Sequence, residues 1–110
     1  MPLSKLELQF DALWESLYPA LDLEVEQQLI PNRRFRFDYV HLGSKVAVEL
    51  NGQIWHKGGH SSGSGLLRDY EKLNLAQQSG YVVFQLSAEM INERWLNLIA
   101  HTIKARDVPC

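Results

Sequence analysis

Cysteine is nearly absent from this sequence: Cys110 is the single one among 110 residues. No internal disulfide can form, and no four-cysteine zinc centre can be assembled. The lack of disulfides fits a reducing, intracellular compartment. Long apolar runs are missing too. No stretch approaches the roughly 20 residues that cross a bilayer, and Met1-Pro2-Leu3-Ser4-Lys5 runs into a polar amphipathic segment rather than a signal peptide. Excess positive charge is likewise missing, since 11 Lys and Arg face 13 Asp and Glu, for a net charge of −2. That balance excludes a protein whose main work is coating phosphates through bulk charge. It leaves room for a nucleic-acid enzyme whose acids gather around a metal. No repeat or low-complexity tract occurs, apart from a glycine- and serine-rich patch over residues 58–65.

What is present is globular composition, 45% hydrophobic and 22% charged. The length predicts one domain over residues 1–110, large enough to bury a core without staples. Residues 4–18 space Leu6, Phe10, Leu13 and Leu17 along one helical face, with Ser4 and Glu7 as a capping box and Pro19 as a stop. Three strand-like runs follow. Residues 23–30 alternate loosely. Residues 34–40 set Phe35, Phe37 and Tyr39 against Arg34, Arg36 and Asp38, and residues 45–51 set Val46, Val48 and Leu50 against Ala47, Glu49 and Asn51. The short turn at residues 41–44 makes the last two a hairpin.

A glycine-rich connection, residues 52–65, leads to a second helix over 66–79 with Leu66, Tyr70, Leu73 and Ala76 or Gln77 on one stripe and Gly80 as its C-terminal cap. Residues 81–86 form a buried-type strand. Ser87 is the expected cap of a last helix, whose stripe is Ile91, Trp95, Leu98, Thr102 and Ile103. A helical crossover between the third and fourth strands allows them to lie parallel, in a mixed sheet covered by helices.

Asp38 and Glu49 stand on the two strands of the hairpin. Carboxylates held together on adjacent strands can bind a hard divalent cation, which activates water and offsets charge on a phosphoryl oxygen. The bland alternative is two solvated strand acids, paired with Arg36 and Lys45. Glu49 and Asn51 share a face, in the spacing of a Glu-X-Lys element with Asn51 where the lysine would stand.

From Arg34 to Phe84 the sequence resembles the PD-(D/E)XK nuclease superfamily, and within it the small very-short-patch-repair-like and phage-encoded endonucleases of restriction-endonuclease-like fold. The residues that carry the likeness are Phe37-Asp38-Tyr39, the run Val46 to Gly52, Trp55, and the loop Gly59 to Gly65. Asp69-Tyr70-Glu71-Lys72-Leu73-Asn74 and Gly80 to Phe84 extend it. The resemblance implies an α/β fold, a mixed sheet flanked by helices in the order αβββαβα. It implies Mg2+- or Mn2+-dependent hydrolysis of DNA phosphodiester bonds, with Asp38, Glu49 and the Leu50 carbonyl as metal ligands and Glu7 extending the acidic cluster. It also implies a bacterial or phage-infected cell, with the protein in the cytoplasm.

The departure is the missing lysine. Lys72, on the second helix, or His60, in the loop, can replace it, and Asp69 can orient either; a surface Asp69–Lys72 pair and a plain loop histidine are the alternatives. The loop is either a connector or a backbone cradle for phosphates. Trp55 either covers the core edge or stacks on a base. Arg34, Arg36, Lys57 and Arg68, together with Trp55 and His60, are the candidate nucleic-acid contacts, with Arg33 beside them. So few phosphate contacts imply weak, salt-sensitive binding unless a homodimer or an associated DNA-binding module adds more. Two other classes remain open: a catalytically lapsed nuclease fold that only binds nucleic acid, and a partner-binding module built on Trp14, Trp55 and Trp95.

Overall fold

The computed structural model describes residues 4–51 and 63–107. Helix α1 (Lys5–Leu17) begins with the capping box, the Glu7 N–H donating to the Ser4 hydroxyl and the Ser4 N–H to the Glu7 carboxylate, each at 3.1 Å. These bonds satisfy two of the donors that every helix start leaves orphaned. Pro19, without an N–H, cannot extend the helix.

β1 (Glu24–Gln27), β2 (Phe37–His41), β3 (Val46–Leu50) and β4 (Val82–Leu86) make one sheet in the order β1-β2-β3-β4. β1–β2 and β2–β3 pair antiparallel, and β3–β4 parallel. α2 (Gly63–Gln78) is the crossover that parallel pairing requires. A 3₁₀ turn (Ala88–Met90) and α3 (Glu93–Arg106) follow. The fold is thus the expected α/β architecture, a mixed sheet flanked by helices, with the order αβββαβα.

Side-chain alternation in β3 divides the core. Val46 and Val48 pack with Phe10 and Trp14 of α1 and with Leu96 and Ile99 of α3. Ala47, on the opposite face, packs with Val40 and with Ala76 of α2. α2 closes at Gly80, whose φ of +91° suits a residue without Cβ. Tyr81 N–H donates to the Ala76 carbonyl and Gly80 N–H to that of Gln77, both at 3.0 Å, a Schellman closure. No described helix is long and apolar enough to cross a membrane.

Several local expectations are corrected. The first strand is only Glu24–Gln27, and Glu26 has a φ of 54°, off the extended conformation. Phe37 and Tyr39 do not share a face: Phe37 packs on the α2 side and Tyr39 on the α1–α3 side. Between them the backbone N–H of Asp38 donates to the Glu49 side chain. Ser87 makes no cap bond; Asn92 caps α3 instead, accepting from the Trp95 N–H at 3.0 Å. Starting the helix there turns its buried stripe to Leu96, Ile99, Ala100 and Ile103, and leaves Leu98 exposed. In α2, Leu66 and Tyr70 are exposed rather than packed, because only the C-terminal half of the helix, around Ala76, rests on the sheet.

Candidate active site

Ala47 of β3 and Ala76 of α2 are fully buried in one cluster, on the sheet face that α2 covers. Glu49 lies two residues beyond Ala47, about 6 Å along the strand. Lys72 lies one turn before Ala76, about 6 Å back along the helix. Because α2 runs back along the strand it follows, the two displacements coincide. The Lys72 ammonium donates to Glu49 Oε2 at 2.5 Å, with both side chains partly buried. It also donates to the Arg36 carbonyl and sits 4.5 Å above the centre of the Phe37 ring.

The β2–β3 register pairs Tyr39 with Val48. One step outward stand Asp38 and Glu49, and each carboxylate is tied to the other's strand. The Asp38 N–H donates to Glu49 Oε1 at 3.0 Å, and the Leu50 N–H donates to Asp38 Oδ2 at 2.8 Å. These bonds replace the ladder at the point where the strands part, and they hold the two acids at one end of the sheet. Behind them Tyr39 donates to Asp11 at 2.6 Å, with its ring stacked on Phe10. Burial and then the bond to Asp11 push the Tyr39 hydroxyl's pKa well up, so it stays a donor.

Burial is the largest influence on both acids and raises both pKa values above the ordinary range. For Asp38 the Leu50 N–H opposes the rise, Glu7 adds to it, and Lys72 opposes it more weakly. For Glu49 the bond to Lys72 is the chief opposing influence, and the charge of Asp38 adds to the rise. A raised folded-state pKa means the native chain holds the extra proton just above the ordinary value of 3.8 for Asp38. The stability this contributes is complete at low pH and is lost as pH rises through the folded pKa. Asp38→Asn, whose amide oxygen can still accept from the Leu50 N–H, should therefore gain stability relative to the parent between about pH 4 and about pH 7. Urea denaturation of both proteins at the two pH values measures this; a relative loss would contradict the burial argument.

Glu49 and Lys72 open onto a cleft of about 340 Å³, lined also by Asn51, Asp69, Tyr70 and Gln85. The structure thus brings together Asp38, Glu49 and Lys72, with Asn51 and Asp69 at the cleft and the Glu7 charge felt at Asp38. Arg34 and Arg68 line a separate groove with Arg33 and Phe35, where Arg33 pairs with Glu71. The Arg36 side chain is exposed, and only its carbonyl enters the site. Trp55, Lys57, His56 and His60 lie outside the described residues. His41 bonds Ser44 Oγ at 2.9 Å in the hairpin turn, and His101 is exposed; neither lines the cleft. Among the described residues no three His, Cys, Asp or Glu side chains form a metal-ligand cluster.

Two participants were missed from the sequence. The Arg36 carbonyl left no side-chain signal at all. Gln85 stands opposite Glu49 in the parallel register and lines the cleft, which only the strand pairing discloses.

Fold and cleft together define an α/β domain with two carboxylates and a lysine at one end of a mixed sheet. The solved structure described as the homing endonuclease I-Bth0305I catalytic domain has this fold. It superposes with a TM-score of 0.68 over 96% of this chain and 100% of that one, at 17% sequence identity. No family model matches the sequence, and no curated protein does.

Proposed function

We propose that the protein is a divalent-metal-dependent DNA endonuclease of the PD-(D/E)XK type, hydrolysing phosphodiester bonds in the cleft between β3 and α2. The observation that carries this reading is the convergence of Asp38, Glu49 and Lys72 in a fold shared with an endonuclease catalytic domain. The donor set suits Mg2+ or Mn2+. Asp38, Glu49 and the Leu50 carbonyl supply hard oxygen ligands, and Mg2+ commonly takes one or two carboxylates, leaving its other positions to water and substrate phosphate. Both acids are partly desolvated, and negative charge nearby raises their proton affinity further, Glu7 at Asp38 and Asp38 at Glu49, which favours a cation beside them. Such an ion would activate water and offset phosphoryl charge.

The chain's own residues do the positioning. The amides of Asp38 and Leu50 orient the carboxylates, so little reorganisation is needed when substrate arrives. Lys72 has three N–H donors, and Glu49 and the Arg36 carbonyl take two. The third would serve a phosphoryl oxygen seated in the cleft, the task left open by Asn51. Arg34 and Arg68 would hold backbone phosphates at the neighbouring groove without reading sequence.

The test is incubation with supercoiled, junction-containing and single-stranded DNA in Mg2+, Mn2+ and EDTA. Cleavage in either metal and none in EDTA is the expected result. DNA bound but uncut in both metals identifies a lapsed nuclease that only binds nucleic acid. Absence of both binding and cleavage at low salt overturns the proposal.

A further inference from the structure

The cleft that Glu49 and Lys72 open onto continues past them toward β4. Leu66, Tyr70 and Leu73 follow one another on α2 at four and three residues, so they form a single stripe, and all three line the cleft. β4 supplies Val83 and Gln85, which stand opposite Ala47 and Glu49 in the parallel register and share their phase. Tyr70 is 54% exposed and Leu66 41%. Large apolar side chains left in water together, inside one concavity, mark the seat of a ligand. Two polar groups stand among them, the Tyr70 hydroxyl and the Gln85 amide. Neither side chain makes a hydrogen bond or ion pair among the described residues, whereas Glu49 and Lys72 are occupied with each other.

We infer that this end of the cleft seats one unstacked nucleobase of a DNA strand, its face on the Tyr70 ring and its edge on the Gln85 amide. The inference rests on the nuclease reading for one point, the substrate phosphate at Glu49 and Lys72. Gln85 is one strand over from Glu49, about 4.8 Å at the backbone, so a base attached near that phosphate falls within its reach. A base has two flat faces and a rim of donors and acceptors. The Tyr70 ring and the aliphatic groups of Leu66 and Val83 suit the faces. A glutamine amide both donates and accepts, which suits the rim. The cleft's volume of about 340 Å³ belongs to the small end of ligand sites, room for one ring system and not for a duplex. In a regular duplex the neighbouring bases cover both faces of each base. The site therefore takes its base from a single strand, or from a bulge that has freed one.

The experiment is fluorescence anisotropy of labelled DNA with the full chain in EDTA at low salt, which reads binding with the proposed reaction switched off. The probes share one sequence: a single strand, a perfect duplex, and a duplex with a one-nucleotide bulge. The parent should bind the single strand, the bulged duplex or both at least about fivefold more tightly than the perfect duplex, and the comparison shows which source supplies the base. Tyr70→Ala should lose about fivefold or more on the preferred probe, and Tyr70→Phe, which keeps the ring, should recover it. The parent should also distinguish single strands of oligo-dA, oligo-dC and oligo-dT, and Gln85→Leu, which cannot hydrogen-bond, should level them. Both residues are exposed, and circular dichroism checks that each variant is folded. A parent with no preference for unpaired bases overturns the inference, as does a Tyr70→Ala variant that binds like the parent. Incubating the same probes in Mg2+ and Mn2+ keeps the two readings apart. A parent that binds unpaired DNA through Tyr70 and cuts nothing overturns the proposed function and upholds the base site. A parent that cuts, with Tyr70→Ala binding unchanged, does the reverse.

Discussion

Glu49→Gln is expected to lower nicking of supercoiled DNA roughly 10³-fold while leaving a cooperatively folded protein. Glutamine keeps an oxygen that can accept from the Asp38 N–H and from Lys72, so the local hydrogen bonds survive in kind. What is lost is the charge. On the proposed reading, Asp38 is then the one carboxylate left to hold a divalent cation, which is too little against water. Burial raises the Glu49 pKa as it does that of Asp38, so removing this charge should not lower stability near neutral pH. Steady-state nicking in Mg2+ together with urea denaturation separates the two effects. A variant that nicks as fast as the parent removes Glu49 from the site.

Phe10→Ala should produce the largest loss of stability, about 3–5 kcal/mol. Phe10 is 1% exposed, its ring 4.4 Å from that of Tyr39 and 5.6 Å from that of Trp14. Truncation removes both stacks and opens a cavity between α1 and the strand that carries Asp38. Against a typical total of about 5–15 kcal/mol, that is a large fraction. Urea unfolding should show a lower midpoint with an unchanged slope. A loss under about 1 kcal/mol would mean that α1 is not held by this aromatic stack.

The two carboxylates were visible in the sequence because strand periodicity puts residues of like phase together, and a short turn joins their strands. Lys72 was visible only as one of two substitutes for a missing lysine, since nothing in its own helix indicates what it faces. Its neighbour Asp69, three residues away, was an equally good partner on local spacing. The choice of Glu49 depends on where α2 crosses the sheet, a seat marked by Ala47 and Ala76, 29 residues apart in the chain and buried in one cluster. Ser87 misled for a related reason: it has the chemistry of a cap, but Asn92 has it too. The packing of Leu96 and Ile99 against the sheet selects the later start.

Local periodicity and turns were enough to set the order of elements and the mixed sheet, and the resemblance to a nuclease superfamily singled out the paired acids. These are short-range properties, decided by backbone sterics and by where apolar side chains recur. The seat of α2 on the sheet and the exchange of carboxylate–amide bonds between Asp38 and Glu49 belong to the tertiary structure alone. Each is a relation between surfaces remote in sequence, and no local pattern records the distance at which they meet.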